Sequence, residues 1–165
     1  SHVVPLYREF GFEPVGPEYQ EAGIPHTRMR RPGEIRVSAV VLTDTAGRVL
    51  MVRKRGTDSF LNPGGKPEPG ETPDRCAARE LREELGLELN PEELLPLGRF
   101  RAPAANEADT VVLADVFRAP EPLDRLPEPR AEIEETRFVD PASPQPGWAP
   151  LFTERILPLL NHPAG

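Results

Sequence analysis

Residues 65–87 read GKPEPGETPDRCAARELREELGL, and the rest of the chain is best read outward from this run. Its second half is predicted to be a helix. Thr72 stands where an N-cap belongs, and Pro73 at the first helical position gives up an N–H that has no partner there anyway. Asp74 to Leu85 contains neither glycine nor proline, and Gly86 supplies the stop. At about 100° per residue, Glu80, Glu83 and Glu84 share an arc of roughly 100°. Ala77, Ala78, Leu81 and Leu85 occupy a separate arc suited to a core. A loop rich in glycine and proline, Asn62 to Gly70, leads into the helix. Three glutamates on one helix ordinarily make a solvated face. The spacing of the whole run points elsewhere.

Gly65 is followed after five residues by Glu71. Seven residues later come Arg79-Glu80-Leu81, then Glu83-Glu84 after one residue and Gly86-Leu87 after one more. With residue frequencies of about 7% at each of seven fixed positions, chance gives this less than about once in a million. The run resembles the Nudix box. The resemblance is strong over the box and looser over residues 34–160. It implies an α/β fold, the Nudix α/β/α sandwich with a mixed sheet.

The residues ask for the same chemistry. Clustered carboxylates repel and stay ionised together only beside cations. Oxygen ligands at helical spacing suit Mg²⁺, with Mn²⁺ as the alternative, better than zinc. Magnesium retains waters and favours phosphate oxygens, so the expected substrate carries a diphosphate. Carried over by position, the resemblance implies that Glu83 and Glu84 ligate metal. Glu80 would ligate metal or help deprotonate the attacking water, since members of the family differ in the base. It implies that Arg79 holds the carboxylates in place through an ion pair with Glu71, and that the Gly64 carbonyl is a further ligand. Outside the box, comparison with dNTP-cleaving members of the family implies a further carboxylate from Glu132, with Glu107 and Asp109 as weaker candidates. Lys66 is a candidate phosphate contact. Asn62, Phe60, Phe100 and Trp148 are candidates for touching a base.

Composition bounds the rest. With 165 residues the chain can build one domain with a core. A net charge of −7 disfavours a broad nucleic-acid surface. No run approaches a membrane span, and the amino terminus lacks the pattern of a signal peptide. One cysteine, Cys76, rules out an internal disulfide and suits a cytoplasmic setting. Cys76 reads as a helix filler, not a nucleophile.

Strands are expected over Ile35–Thr43 and Arg48–Arg55 around a turn at residues 44–47. Further strands are expected at Leu87–Leu89, Leu97–Ala102, Thr110–Ala119 and Ile133–Val139. A closing helix is expected over Pro150–Leu160. Residues 1–31 stand apart from residues 32–165, the Nudix-like domain. Val3–Phe10 reads as the end of a helix. Phe12–Tyr19 and His26–Arg31 read as strands of a β-hairpin extension. This text is similar to the C-terminal hairpin of GNAT-type acetyltransferases. The glycine-containing loop that would hold acetyl-CoA is missing, so acetyl transfer is not expected. Exposed edges of this hairpin would suit a homodimer.

The functional expectation is a Mg²⁺-dependent hydrolase that cleaves a pyrophosphate within a nucleoside diphosphate linked to another moiety. A (d)NTP-type small molecule is slightly favoured as substrate. The alternatives are an ADP-ribose or nucleotide-sugar pyrophosphatase and a non-catalytic nucleotide-sensing module.

Overall fold

The computed structural model describes residues 33–161, together with the backbone of residues 13–14, 19–21, 24–26 and 29–30. The chain divides into two compact units, Ser1–Glu34 and Ile35–Gly165.

In the first unit, β1 (Glu13–Pro14) pairs antiparallel with β4 (Met29–Arg30). In a separate two-stranded sheet, β2 (Tyr19–Glu21) pairs antiparallel with β3 (Ile24–His26). The pairing reaches closer to the turn than the sequence predicts. The helix end expected at Val3–Phe10 lies outside the described residues.

The second unit is built on β5 (Gly33–Val41), β6 (Val49–Lys54), β7 (Phe60–Leu61), β8 (Gly64–Gly65), β9 (Leu95–Pro103), β10 (Thr110–Arg118) and β11 (Ile133–Val139). Four strands run in the order β8-β5-β10-β9, and three in the order β11-β6-β7. Antiparallel ladders are joined by parallel bridges at Asp44–Leu123 and Phe60–Trp148, so the sheet structure is mixed. The turn after β5 is closed by Asp44, whose carboxylate accepts from the N–H groups of Ala46 and Arg48.

Strand alternation decides the layering. Ala39 and Val41 of β5, with Val49 and Met51 of β6, enter one apolar cluster. Their neighbours Val40, Leu42, Leu50 and Val52 enter another. Helix α1 (Pro73–Leu85) fills the second cluster with Ala77, Ala78, Leu81 and Leu85, the apolar arc predicted from its sequence. Phe152, Ile156 and Leu157 of the closing helix fill the first. Helices thus cover the two faces of a central sheet layer. Each large apolar side chain buried this way contributes about 1.5–3 kcal/mol.

Helix α1 begins and ends where expected, with one difference. Thr72 holds the cap position, but its side chain makes no capping hydrogen bond. At the other end, Gly86 is left-handed at φ 66°, and its N–H donates to the Arg82 carbonyl at 3.0 Å. The strand expected at Leu87–Leu89 does not form. Both leucines pack at the edge of the α1 cluster, and Asn90 caps a short 3₁₀ turn, Pro91–Glu93. The closing helix opens as a π-helical segment, Leu151–Ile156, before α2 (Leu157–Asn161). The cause is local. Pro158 has no N–H to give, and its ring crowds the carbonyl four residues back, so the preceding turn widens.

Candidate active site

The loop before α1 is fixed by two adjacent glycines with different tasks. Gly64 has φ 152°, and a Cβ there would overlap the Ser38 carbonyl oxygen of β5. Gly65 faces the helix. A Cβ there would lie 2.5 Å from the Glu80 carboxylate. Their main-chain groups complete the docking. The Gly64 N–H donates to Glu84 Oε1 at 3.1 Å, and the Cys76 thiol donates to the Gly65 carbonyl at 3.4 Å. Cys76 is buried, and burial raises its thiol above the ordinary range.

Arg79 ties loop to helix. Its Nε and Nη2 donate to the two Glu71 carboxylate oxygens at 2.7 and 2.8 Å. Nη1 donates to Glu80 Oε1 at 3.0 Å and to Glu83 Oε2 at 3.2 Å, while Nη2 also reaches the Lys66 carbonyl at 3.0 Å. Glu71 accepts the Glu68 N–H as well, at 2.9 Å. The Arg79 guanidinium holds the Glu71 carboxyl down to about 2, and Glu71 in turn holds Arg79 firmly protonated. The folded-state value of Glu71 is depressed. The pair therefore stabilises the fold above the unfolded carboxyl range near 4.5, and this is lost as pH falls toward 2. An ammonium cannot reproduce the two-pronged contact. Arg79→Lys is accordingly expected to lower the melting temperature by several degrees at neutral pH, with a smaller deficit near pH 2. A deficit that does not depend on pH would show that the Glu71 pair is not its source.

Glu80, Glu84 and Glu132 converge, each offering a carboxylate oxygen within 4.8 Å of the others. Glu80 and Glu84 arrive from α1. Glu132 arrives just ahead of β11, its carbonyl accepting the Arg55 N–H at 2.8 Å. Glu84 is only 1% exposed. Burial, more than its acidic neighbours, pushes its carboxyl up to about 8. Burial also raises Glu80, against the opposing pull of Arg79. Glu84 Oε2 is enclosed with no donor among the described residues. The Glu132 carboxylate faces it and can supply a hydrogen bond only while one of the two groups holds a proton. An ionised, enclosed oxygen with two further carboxylates beside it calls for a cation. The hard oxygen donors fit a divalent ion of the Mg²⁺ or Mn²⁺ kind.

Glu83 stands outside this trio. Its side chain is about half exposed and turned to Arg79. The sequence ranked it with Glu84 as a ligand, but only Glu84 comes together with Glu80 and Glu132. Gly64 meets the cluster through its N–H.

A cleft opens beside Glu84. Glu84, Gly64, Gly65 and Lys66 line one part of it, and Asn62 and Lys54 line it further along. Glu107 contributes from the loop after β9. The other candidates for touching a base lie elsewhere. Phe60 belongs to the core cluster, and the Arg137 guanidinium covers its ring at 4.4 Å. Trp148 packs edge-on against Phe152, with ring centroids 5.3 Å apart. Phe100 packs against the same core. Lys54 went unremarked in the sequence. The alternation of β6 marks it, since it follows Val52 by two residues on the face toward α1.

The family model described as the NUDIX domain matches residues 33–160. The chain belongs to this family. Residues 1–32 match a second model, the acetyltransferase (GNAT) domain. The Nudix chain is 42% identical over 60 residues to the RNA pyrophosphohydrolase of Pseudomonas putida, which is 36% of this chain and 38% of that protein. The match thus spans well under half the length of the curated relative. Among solved structures, the MutT NUDIX hydrolase from Burkholderia pseudomallei superposes with TM-score 0.60 at 21% identity, covering 79% of this chain and 98% of that one. The MutT protein from Methanosarcina mazei superposes with TM-score 0.61 at 18% identity, covering 79% and 94%. At these identities the likeness speaks to the fold. Among the described residues of this Nudix chain, no helix is long and apolar enough to cross a membrane.

Proposed function

We propose that this Nudix chain is a divalent-metal-dependent pyrophosphohydrolase acting on a nucleoside diphosphate linked to another moiety, with (d)NTP-type small molecules as the favoured substrates. One observation carries the reading: three carboxylates within 4.8 Å of one another, one of them lining a cleft and keeping an enclosed oxygen with no donor among the described residues. Glu80, Glu84 and Glu132 would hold Mg²⁺ or Mn²⁺. When bound, such an ion neutralises phosphate charge and lowers the pKa of an attacking water.

The remaining work falls to the chain's own groups. The Gly64 N–H fixes one oxygen of Glu84, and Arg79 fixes one oxygen of Glu80, so both carboxylates are held before substrate arrives. Glu80 is raised by burial and keeps one oxygen clear of Arg79, which suits it to accept a proton from water. Lys66, which lines the cleft beside Gly65, would meet a phosphate oxygen. Arg79 acts as a positioning residue through Glu71 and Glu80. Glu83 can turn from Arg79 toward a bound ion only by giving up that contact.

The shared stretch with RNA pyrophosphohydrolases favours a second reading, in which the phosphoanhydride is carried on RNA. The net charge of −7 weighs against it, because a protein that binds an RNA backbone needs clustered cations. Both readings are tested by one screen, with Mg²⁺, Mn²⁺ or chelator, that reads phosphate and pyrophosphate directly and phosphomonoester products such as AMP after added phosphatase. Its substrates are nucleoside triphosphates, nucleotide sugars, ADP-ribose and triphosphorylated RNA. The expected result is chelator-sensitive hydrolysis of a small nucleotide. Turnover of RNA alone would select the second reading, and binding without turnover of any substrate would make the chain a sensing module.

A further inference from the structure

Asn62 is 9% exposed, and neither its amide oxygen nor its amide nitrogen has a hydrogen-bond partner among the described residues. Buried amides are almost always paired, because each unmade bond leaves the full desolvation penalty standing. This one is also held in place. On one side, Phe60 exchanges main-chain bonds with Gly147 and Ala149; on the other, the Pro63 carbonyl accepts from Val40. Asn62 is among the residues that line the cleft with Glu84, and the walls of that cleft are largely apolar, with Val37, Val52, Leu61, Val112 and Leu151 among them.

We infer that the cleft takes a nucleobase and that Asn62 reads its edge. This rests on the proposed hydrolysis of a phosphoanhydride at the carboxylate trio. A primary amide presents one donor beside one acceptor. Nucleobase edges present the complementary pair, as in the amino and ring-nitrogen edge of adenine or the lactam edge of guanine. Apolar walls suit the faces of such a ring, and a sugar or inositol would leave them facing hydroxyls. The amide atoms are closed off in the ligand-free chain, so a base reaches them only as neighbouring side chains part. A base that makes both bonds offsets that rearrangement, and one that makes neither does not.

The test compares wild type with Asn62→Leu, a near-isosteric change that removes both polar atoms. It measures kcat/KM for the four common nucleoside triphosphates and for inorganic triphosphate with Mg²⁺, and the melting temperature without ligand. Wild type is expected to prefer at least one base over inorganic triphosphate by about 10- to 100-fold. Asn62→Leu is expected to lose that preference through KM and to leave inorganic triphosphate unchanged. Its melting temperature should be equal or higher, because an unpaired buried amide has been removed. An unchanged base preference overturns the inference. So does an equal loss on inorganic triphosphate, which would place Asn62 at the reacting centre. A melting temperature lower by several degrees with every substrate affected would make the amide a structural group. Should Asn62→Leu not fold, wild type alone decides: adenosine triphosphate must exceed purine riboside triphosphate, which lacks the amino group, or guanosine triphosphate must exceed its 2-amino-purine counterpart. Base-indifferent hydrolysis by wild type would sink this inference while sparing the proposed function. If no phosphoanhydride is cleaved, the proposed function fails. Calorimetric binding of Mg²⁺-nucleotides to wild type and variant then decides the base reading, equal affinities overturning it.

Discussion

Glu84→Gln is expected to cut metal-dependent hydrolysis by about 100-fold or more, while making the metal-free chain harder to melt at pH 8. The two effects have one cause. Glu84 is enclosed, one oxygen takes the Gly64 N–H, and the other has no donor among the described residues. Its folded-state value is raised to about 8 against 4.5 for an ordinary glutamate. Below 4.5 the group is protonated whether the chain is folded or not, and its contribution to stability is fully present. Between about 4.5 and 8 the unfolded chain releases the proton and the folded chain retains it. Stability is therefore lost as pH rises through this window, by up to a few kcal/mol. Glutamine keeps the shape and the acceptor for Gly64 but cannot ionise, so the variant should lack this slope. Adding Mg²⁺ should raise the wild-type melting temperature most at the alkaline end, where the carboxylates are ionised, and should do little for the variant. Thermal melts of both proteins between pH 5 and 8.5, with Mg²⁺ or chelator, measure this directly. Parallel curves for the two metal-free proteins would refute the account, as would a variant that keeps near-normal turnover.

How far the sequence carried this site depended on whether a feature is set by backbone or by side-chain choice. Helix α1 follows from Pro73, the uninterrupted run after it and Gly86, all local signals, and it formed over those residues. The apolar arc of Ala77, Ala78, Leu81 and Leu85 followed from helical angle alone. The same angle places three glutamates together but does not say which way each turns. Arg79 settles that by drawing Glu83 aside, while burial takes Glu80 and Glu84 inward. Glu132 reaches them because β11 pairs with β6 in a register that puts Ile133 opposite Lys54 and shifts before Glu135. A register shift of this kind has no mark in the sequence. Phe60 shows the opposite limit. An aromatic near a phosphate loop suggests stacking, but Arg137, distant in the sequence, covers its ring in the fold at 4.4 Å.

Substituting the two glycines one at a time should separate the fold from the chemistry. At Gly64 an added Cβ would run into the Ser38 carbonyl and crowd the Ala39 Cα, and φ 152° is unfavourable for any L side chain. Both obstacles are main chain in the β5–β8 pairing, so neither can swing away. Gly64→Ala is expected to cost about 3 kcal/mol or more, which is about 6–12 °C in melting temperature for a domain of this size. At Gly65 the obstacle is the tip of Glu80, at 2.5 Å. A carboxylate on two methylenes can move, so Gly65→Ala should unfold only slightly more easily. The movement takes Glu80 away from Glu84 and Glu132 and strains its 3.0 Å bond from Arg79. Hydrolysis should fall by about 10-fold or more with little change in melting temperature. Shortening the obstacle supplies the control. If the collision is the cause, Gly65→Ala combined with Glu80→Asp should lose less activity than the two separate losses multiplied together. A Gly65→Ala protein with normal turnover would mean that Glu80 does not need its present position. Fully additive losses would mean that Gly65 and Glu80 act independently of one another.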